Sequence, residues 1–226
     1  MRLKVAVLIL IFSLSYLPLP HAEAQIGVAA VNLECSSVDP SGVVEIEVYP
    51  GATLTGQAVC TVSNPNSYQE KIEIEVQSDG LLSSYPGSIT LGPNGEEEFF
   101  VTVKAEERMS ASSRNVVVKA TVTEMMGMPP PNLAEEEVSL IATIMQYSGL
   151  QVEVVDSLIT LKTKVDYNLE FKVYNQGNAA DRFLVGLTEN SRNVLEDAGF
   201  SISIPLVKVE IDSIASPTKV RVTMRT

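Results

Sequence analysis

The side chains through which this chain could do chemistry are two cysteines, a cluster of methionines, one histidine and many carboxylates. The histidine, His21, falls in an N-terminal stretch that reads as an export signal, so the mature chain has none. Without it, Ser-His-Asp and Cys-His nucleophilic systems, H-E-x-x-H zinc sites and histidine-ligated copper are excluded. The chain has no G-x-G-x-x-G, Walker loop or EF-hand loop.

Cys35 and Cys60 are the only cysteines, and an exported chain meets an oxidising compartment. One pair has one intramolecular solution. A bridge across this interval would stabilise by roughly 3–4 kcal/mol on the chain-entropy view, tying an early strand to the strand that carries Cys60. The alternatives are two buried free thiols or half of a zinc site. Met125, Met126 and Met128 could hold Cu(I) through thioethers, but beside Pro129-Pro130-Pro131 they read as a loop hydrophobe patch and a contact surface. Carboxylate counts alone leave a glycosidase pair open. Their placement is that of a wet surface: Glu45, Glu47, Glu73 and Glu75 alternate along strands, and Glu96–Glu98 and Glu135–Glu137 form runs. A weak calcium site at the joint between modules would need several of these oxygens to converge. With no tryptophan, Tyr68, Tyr85 and Tyr174 are the aromatic candidates for a contact or sugar-stacking role. The mature chain has no N-x-Ser/Thr sequon.

These residues must be positioned by strands. Leu169, Phe171 and Val173 alternate with Glu170, Lys172 and Tyr174, the period-two mark of a sheet with one buried face. Asn175-Gln176-Gly177-Asn178 breaks the pattern with turn chemistry, and Phe183, Val185 and Leu187 resume it. Earlier, Ala58, Cys60 and Val62 lead into Asn64-Pro65-Asn66-Ser67, and Ile72, Ile74 and Val76 follow. Asn64 and Asn175 lie 111 residues apart, which predicts one β-sandwich module occurring twice, with Phe171 in the place of Cys60.

Arg2 and Lys4, the apolar run Val5–Leu17 and the small residues of Ala22-Glu23-Ala24 predict a signal peptide over 1–24. The alternative is a membrane anchor, but the run falls short of the ~20 residues of a span, and Pro18 and Pro20 end it. Removing 24 of 226 residues leaves 202, room for two sandwiches of about 100 residues, over 25–147 and 148–226. Without Arg2, Lys4 and Glu23, the 16 basic and 28 acidic residues become 14 and 27, a net charge of −13 with the mature chain lacking histidine. That balance disfavours nucleic acid and anionic lipid as partners.

In order, strands are expected within 25–36, at 43–48, 57–64, 71–76, 88–91, 98–105, 115–123 and 138–147. Ser78-Asp79-Gly80 and Tyr85-Pro86-Gly87 frame a short loop. Ser148-Gly149 is the joint, without a long flexible linker, so the modules should abut stiffly. The second module runs through 150–155, 158–161, the two strands beside Asn175, then 200–205 and 218–226. Asn190–Gly199 is the one helical candidate, capped by Asn190 or Ser191 and stopped by Gly199, and too short to stand without packing on the sheet. This module has fewer strands than the first, an expectation that it is incomplete.

F-K-V-Y-N-Q-G-N-A-A-D-R-F-L-V resembles the strand, Asn-x-Gly-Asn, Asp, strand pattern of bacterial and archaeal extracellular Ig-like modules, of the CARDB adhesion type and the type associated with carbohydrate-active enzymes. C-T-V-S-N-P-N-S-Y-Q-E-K-I-E-I looks like a variant with Pro65-Asn66 in place of the glycine, and L-G-P-N-G-E-E-E-F-F-V-T-V like the turn and strand that follow. The resemblance implies an all-β protein of two tandem Ig-like sandwiches, non-catalytic and cofactor-free, at a cell surface, whose partners are other surface proteins or further domains of the same polypeptide. It equally admits an accessory region of a larger secreted enzyme, or a carbohydrate-binding module.

Overall fold

A computed structural model describes residues 27–155, 160, 162–205 and 207–225. The signal segment and the expected strand at 158–161 lie outside these, apart from residue 160. Alternating sequence becomes alternating burial. In β3 (Thr55–Ser63) every second residue from Gly56 to Val62 is buried, because successive residues of a strand face opposite sides of the sheet.

The first sheet has the order β1-β3-β7-β5, with β1 at Asn32–Ser37, β5 at Leu82–Ser84 and β7 at Glu96–Lys104. The second has the order β2-β9-β8-β4-β6. Its members are β2 (Val44–Ile46), β4 (Glu70–Gln77), β6 (Ser88–Leu91), β8 (Ser112–Met125) and β9 (Glu135–Ile144). Pairing is antiparallel except β2 with β9. Between the sheets lies one apolar core that includes Val44, Ile46, Cys60, Val62, Ile72, Ile74, Phe99, Val101, Val118 and Ala142. Cys35 and Cys60 stand directly opposite each other on β1 and β3 and form a disulfide.

A second pair of sheets follows. The order β10-β11-β15-β13 joins Leu150–Val154, Asp166–Asn175, Thr218–Arg225 and Ser201–Ser203, and β12 (Asp181–Leu184) pairs with β14 (Lys208–Ile211). Their core is small: Val173, Val209, Ile211 and Val220, with Phe183 and Val185 packed against it. The chain is thus all-β, built of Ig-like β-sandwich.

Three local expectations are revised. The stretch expected as a loop between Gly80 and Tyr85 holds β5, whose three residues pair with β7; a strand this short shows no alternation to read. The strand β14 has no counterpart among the expected strands either, its V-E-I lying between Pro205 and a turn. The helix α1 spans Glu189–Asp197, and its cap is Thr188, whose side chain accepts from the Ser191 N–H. It buries no residue fully, and only Leu195 is half-buried, so packing on the sheet supports it less than expected. The Thr188 cap and the Arg192–Glu196 pair one turn apart are its local supports. Gly199 ends it at φ +87°.

Candidate functional site

The duplicated turn is the element around which both sandwiches close. Asn64 is buried at the end of β3. Its amide donates to the Tyr68 carbonyl at 2.7 Å and to the Gly92 carbonyl at 3.0 Å, and its Oδ1 accepts from the Asn66 N–H at 2.9 Å. Asn175, buried at the end of β11, repeats this: it donates to the Ala179 and Ile211 carbonyls at 2.8 Å and accepts from the Gly177 N–H at 2.8 Å. The side chain stands in for missing strand partners, satisfying backbone groups that the turn would otherwise bury unpaired.

Each turn also grips the segment that enters its sandwich. In the first, Asn66 donates to the Val28 carbonyl and to Glu70 Oε1, both at 3.0 Å. Tyr68 donates its hydroxyl to the same Val28 carbonyl. Glu70 is fully buried and also accepts from the Ala30 N–H at 3.3 Å. Burial holds its carboxyl above the usual carboxylate range, against the lowering effect of the two hydrogen bonds.

In the second turn Asn178 does the gripping. It is almost fully buried. Its amide donates to the Met109 and Met145 carbonyls at 3.0 and 2.9 Å, and its Oδ1 accepts from the Tyr147 N–H at 2.9 Å. Its backbone N–H donates to the Tyr147 carbonyl, and its carbonyl accepts from the Ala111 N–H. Both side-chain donors and the acceptor are engaged by residues of the preceding sandwich. Gly177 beside it admits no side chain: a Cβ there would stand 2.6 Å from the Tyr147 carbonyl oxygen. Asp181 occupies the place of Glu70, 111 residues on, and accepts from Gln146 at 3.4 Å. One oxygen of each carboxylate, Glu70 Oε2 and Asp181 Oδ2, is buried without a hydrogen-bond partner.

The expected contact residues do not gather in one place. Met126 and Met128 are exposed at the far end of the first sandwich, but Met125 is buried, because it closes β8 on the inner face while pairing with Met128. Tyr68 lies near them, since the Met126 N–H donates to the Gln69 carbonyl. Tyr85 packs against the first core. Tyr174 donates to Glu153 at 2.8 Å, a bond that raises its hydroxyl above the ordinary phenol value, and it lines a cleft beside the joint with Arg108 and Gln176. Among the described residues no three His, Cys, Asp or Glu side chains are placed to hold a metal ion.

An apolar concavity lies in the second pair of sheets. It is a cleft of about 250 Å3 whose lining includes Leu150, Val152, Phe171, Phe183, Val185 and Val222. Sequence reasoning named Phe171 and Phe183 as core and missed that they line an open cleft. Alternation marks which face is apolar, not whether a second layer covers it.

No protein-family model matches the chain, and no curated protein matches it. Similar solved structures include native alpha-2-macroglobulin from Escherichia coli, from domain MG7 to the C-terminus, at 13% identity and TM-score 0.39, over 62% of this chain and 20% of that one. The ASH/PapD-like domain of human CEP192 is similar at 12% identity and TM-score 0.34, over 57% of this chain and 94% of that one. The Escherichia coli chaperone DraB is similar at 13% identity and TM-score 0.30, over 86% and 85% of the two chains. The chain spans about a fifth of the length of the alpha-2-macroglobulin structure.

Proposed function

We propose that the chain is a non-catalytic, exported cell-surface protein whose Ig-like modules, 25–147 and 148–226, act as a stiff spacer that presents adhesive loops. The observation that carries this reading is Asn178, whose side chain and backbone make five hydrogen bonds to the preceding sandwich across the joint. A joint held by a saturated buried amide resists bending, because opening it strands several polar groups at once. The Cys35–Cys60 disulfide accords with an oxidising compartment. No helix among the described residues is long and apolar enough to cross a membrane. The exposed tip at Val28, Met126, Met128 and Leu133 is the contact surface assigned to adhesion, at the end remote from the joint.

The test is twofold. Amino-terminal sequencing of the exported protein is expected to begin at Gln25, and surface labelling of intact cells to reach it. Beads coated with residues 25–226 are expected to bind cells, and Met126→Asp/Met128→Asp beads to bind several-fold less. A protein retained inside the cell, or beads that never bind, would overturn the reading.

A further inference from the structure

The methionines divide by their surroundings. Among the described residues Met125 and Met224 are buried, Met109 and Met145 are half-buried, and Met126 and Met128 are 55% and 60% exposed. The exposed pair sits on one tight turn. The Met125 N–H donates to the Met128 carbonyl at 2.7 Å, and the Met128 N–H to the Met125 carbonyl at 3.0 Å. The two central residues, Met126 and Gly127, have φ +52° and +78°. Positive φ at both centres is the geometry that favours Asn-Gly, because a longer side chain at the first centre crowds its own backbone. Methionine there costs stability, and a side chain more than half exposed recovers little of it by packing.

The turn therefore sorts three neighbouring sulfurs. Met125 is 7% exposed, whereas Met126 and Met128 hold their thioethers in water. Asn132 ties the same loop to the entering segment through the Ala29 N–H and carbonyl, which brings exposed Leu133 beside exposed Val28. Both cysteines are spent in the disulfide, so no free thiol competes for an oxidant. The accessible oxidisable sulfur of the first sandwich is concentrated on its apolar tip.

We propose that Met126 and Met128 are modification sites, oxidised to sulfoxides by a peroxide, and that this turns the tip from apolar to polar without disturbing the fold. A sulfur lone pair attacks one peroxide oxygen and the O–O bond breaks. The second oxygen takes the proton of the transferred hydroxyl and leaves as water. Each sulfur is oxidised by two electrons, and the peroxide is reduced by the same two. The product carries a polar S=O group where a soft apolar thioether stood. Neither oxidised side chain belongs to the core, so the sandwich keeps its packing. Met125, whose sulfoxide would put a polar group inside, is shielded by its burial. The effect on adhesion rests on the contact role proposed above; the modification itself does not.

The test treats mature 25–226 with hydrogen peroxide and follows it by peptide mapping in a mass spectrometer, by thermal melting and by retention on a phenyl resin. Met126 and Met128 are expected to gain one oxygen apiece about tenfold faster than Met125, with retention falling and the melting temperature unchanged. Met126→Leu/Met128→Leu is expected to keep its retention through the same treatment. Met126→Asn, which suits the turn, is expected to melt above wild type. Beads coated with oxidised protein are expected to bind cells several-fold less than untreated beads. Untreated beads that never bind remove the adhesion reading, and the sulfoxide pattern and retention still decide the modification. The proposal is overturned if the three sulfurs oxidise at one rate, if the oxidised protein unfolds or keeps its retention, if the double leucine variant loses retention equally, or if Met126→Asn melts lower.

Discussion

Asn64 and Asn175 make the same three hydrogen bonds in the same order: one accepted from the residue two positions on, one donated to the carbonyl four positions on, and one donated across to the strand-turn junction that follows β6 or ends β14. An asparagine amide supplies two donors and one acceptor in a plane, and aspartate lacks the donors. Asn64→Ala and Asn64→Asp are each expected to destabilise the first sandwich by about 2–4 kcal/mol, from buried carbonyls left unpaired. Urea unfolding followed by tyrosine fluorescence checks this. Asn175→Ala should instead release the second sandwich, read as a separate early transition, because its core cluster holds four buried residues among those described.

Asn178 couples the sandwiches rather than holding either together. Asn178→Ala leaves the Met109 and Met145 carbonyls and the Tyr147 N–H without this partner, a loss of about 2–3 kcal/mol at the joint. Small-angle scattering should show a broader distribution of interdomain distances. Limited proteolysis should cut near Ser148, with the melting of the first sandwich unchanged. Gly177→Ala should do the same, since its methyl would press on the Tyr147 carbonyl.

Glu70 sets a pH dependence of definite sign. Burial raises its folded-state pKa above the unfolded value, so between the two the folded chain binds more protons than the unfolded chain. Stability from this group is fully present below the unfolded pKa and is lost as pH rises through the folded one. Relative to wild type, Glu70→Gln is expected to flatten the fall in melting temperature from about pH 4 towards neutrality, the acid range of an ordinary glutamate. A variant whose pH profile parallels the wild type would remove Glu70 as the cause.

The disulfide constrains the first sandwich alone. Cys35 and Cys60 are 25 residues apart, and opening a loop of that size should cost about 3 kcal/mol on the entropy account. The Cys35→Ser/Cys60→Ser double variant is expected to lower the denaturant midpoint of that sandwich and leave the other transition in place. The intact mature mass should fall two daltons below that of the reduced chain.

Much of the fold was legible because alternation is a direct image of burial: β3, β4 and β11 were placed within a residue or two from Cys60, Ile72 and Phe171. The duplication was legible because the turn needs an amide at one place, and Asn64 and Asn175 supply it. β5 and β14 escaped because three or four residues cannot display a period, and they owe their existence to pairing with β7 and β12. The sequence places the joint at Ser148-Gly149 as an expectation and offers no sign of the clasp, since Asn178 reads as one more turn residue until its long-range partners are known. In sequence the methionine cluster reads as one surface, and pairing at the Met125–Met128 hairpin turns one of its members inward.

The rims of the first sandwich carry a last consequence. Its outermost ribbons, β1, β5, β2 and β6, are six, three, three and four residues long. Lengths like these give a neighbouring molecule too little backbone to zip onto. The short rims of the first sandwich therefore offer a neighbouring copy little edge along which to extend its sheets into fibrils.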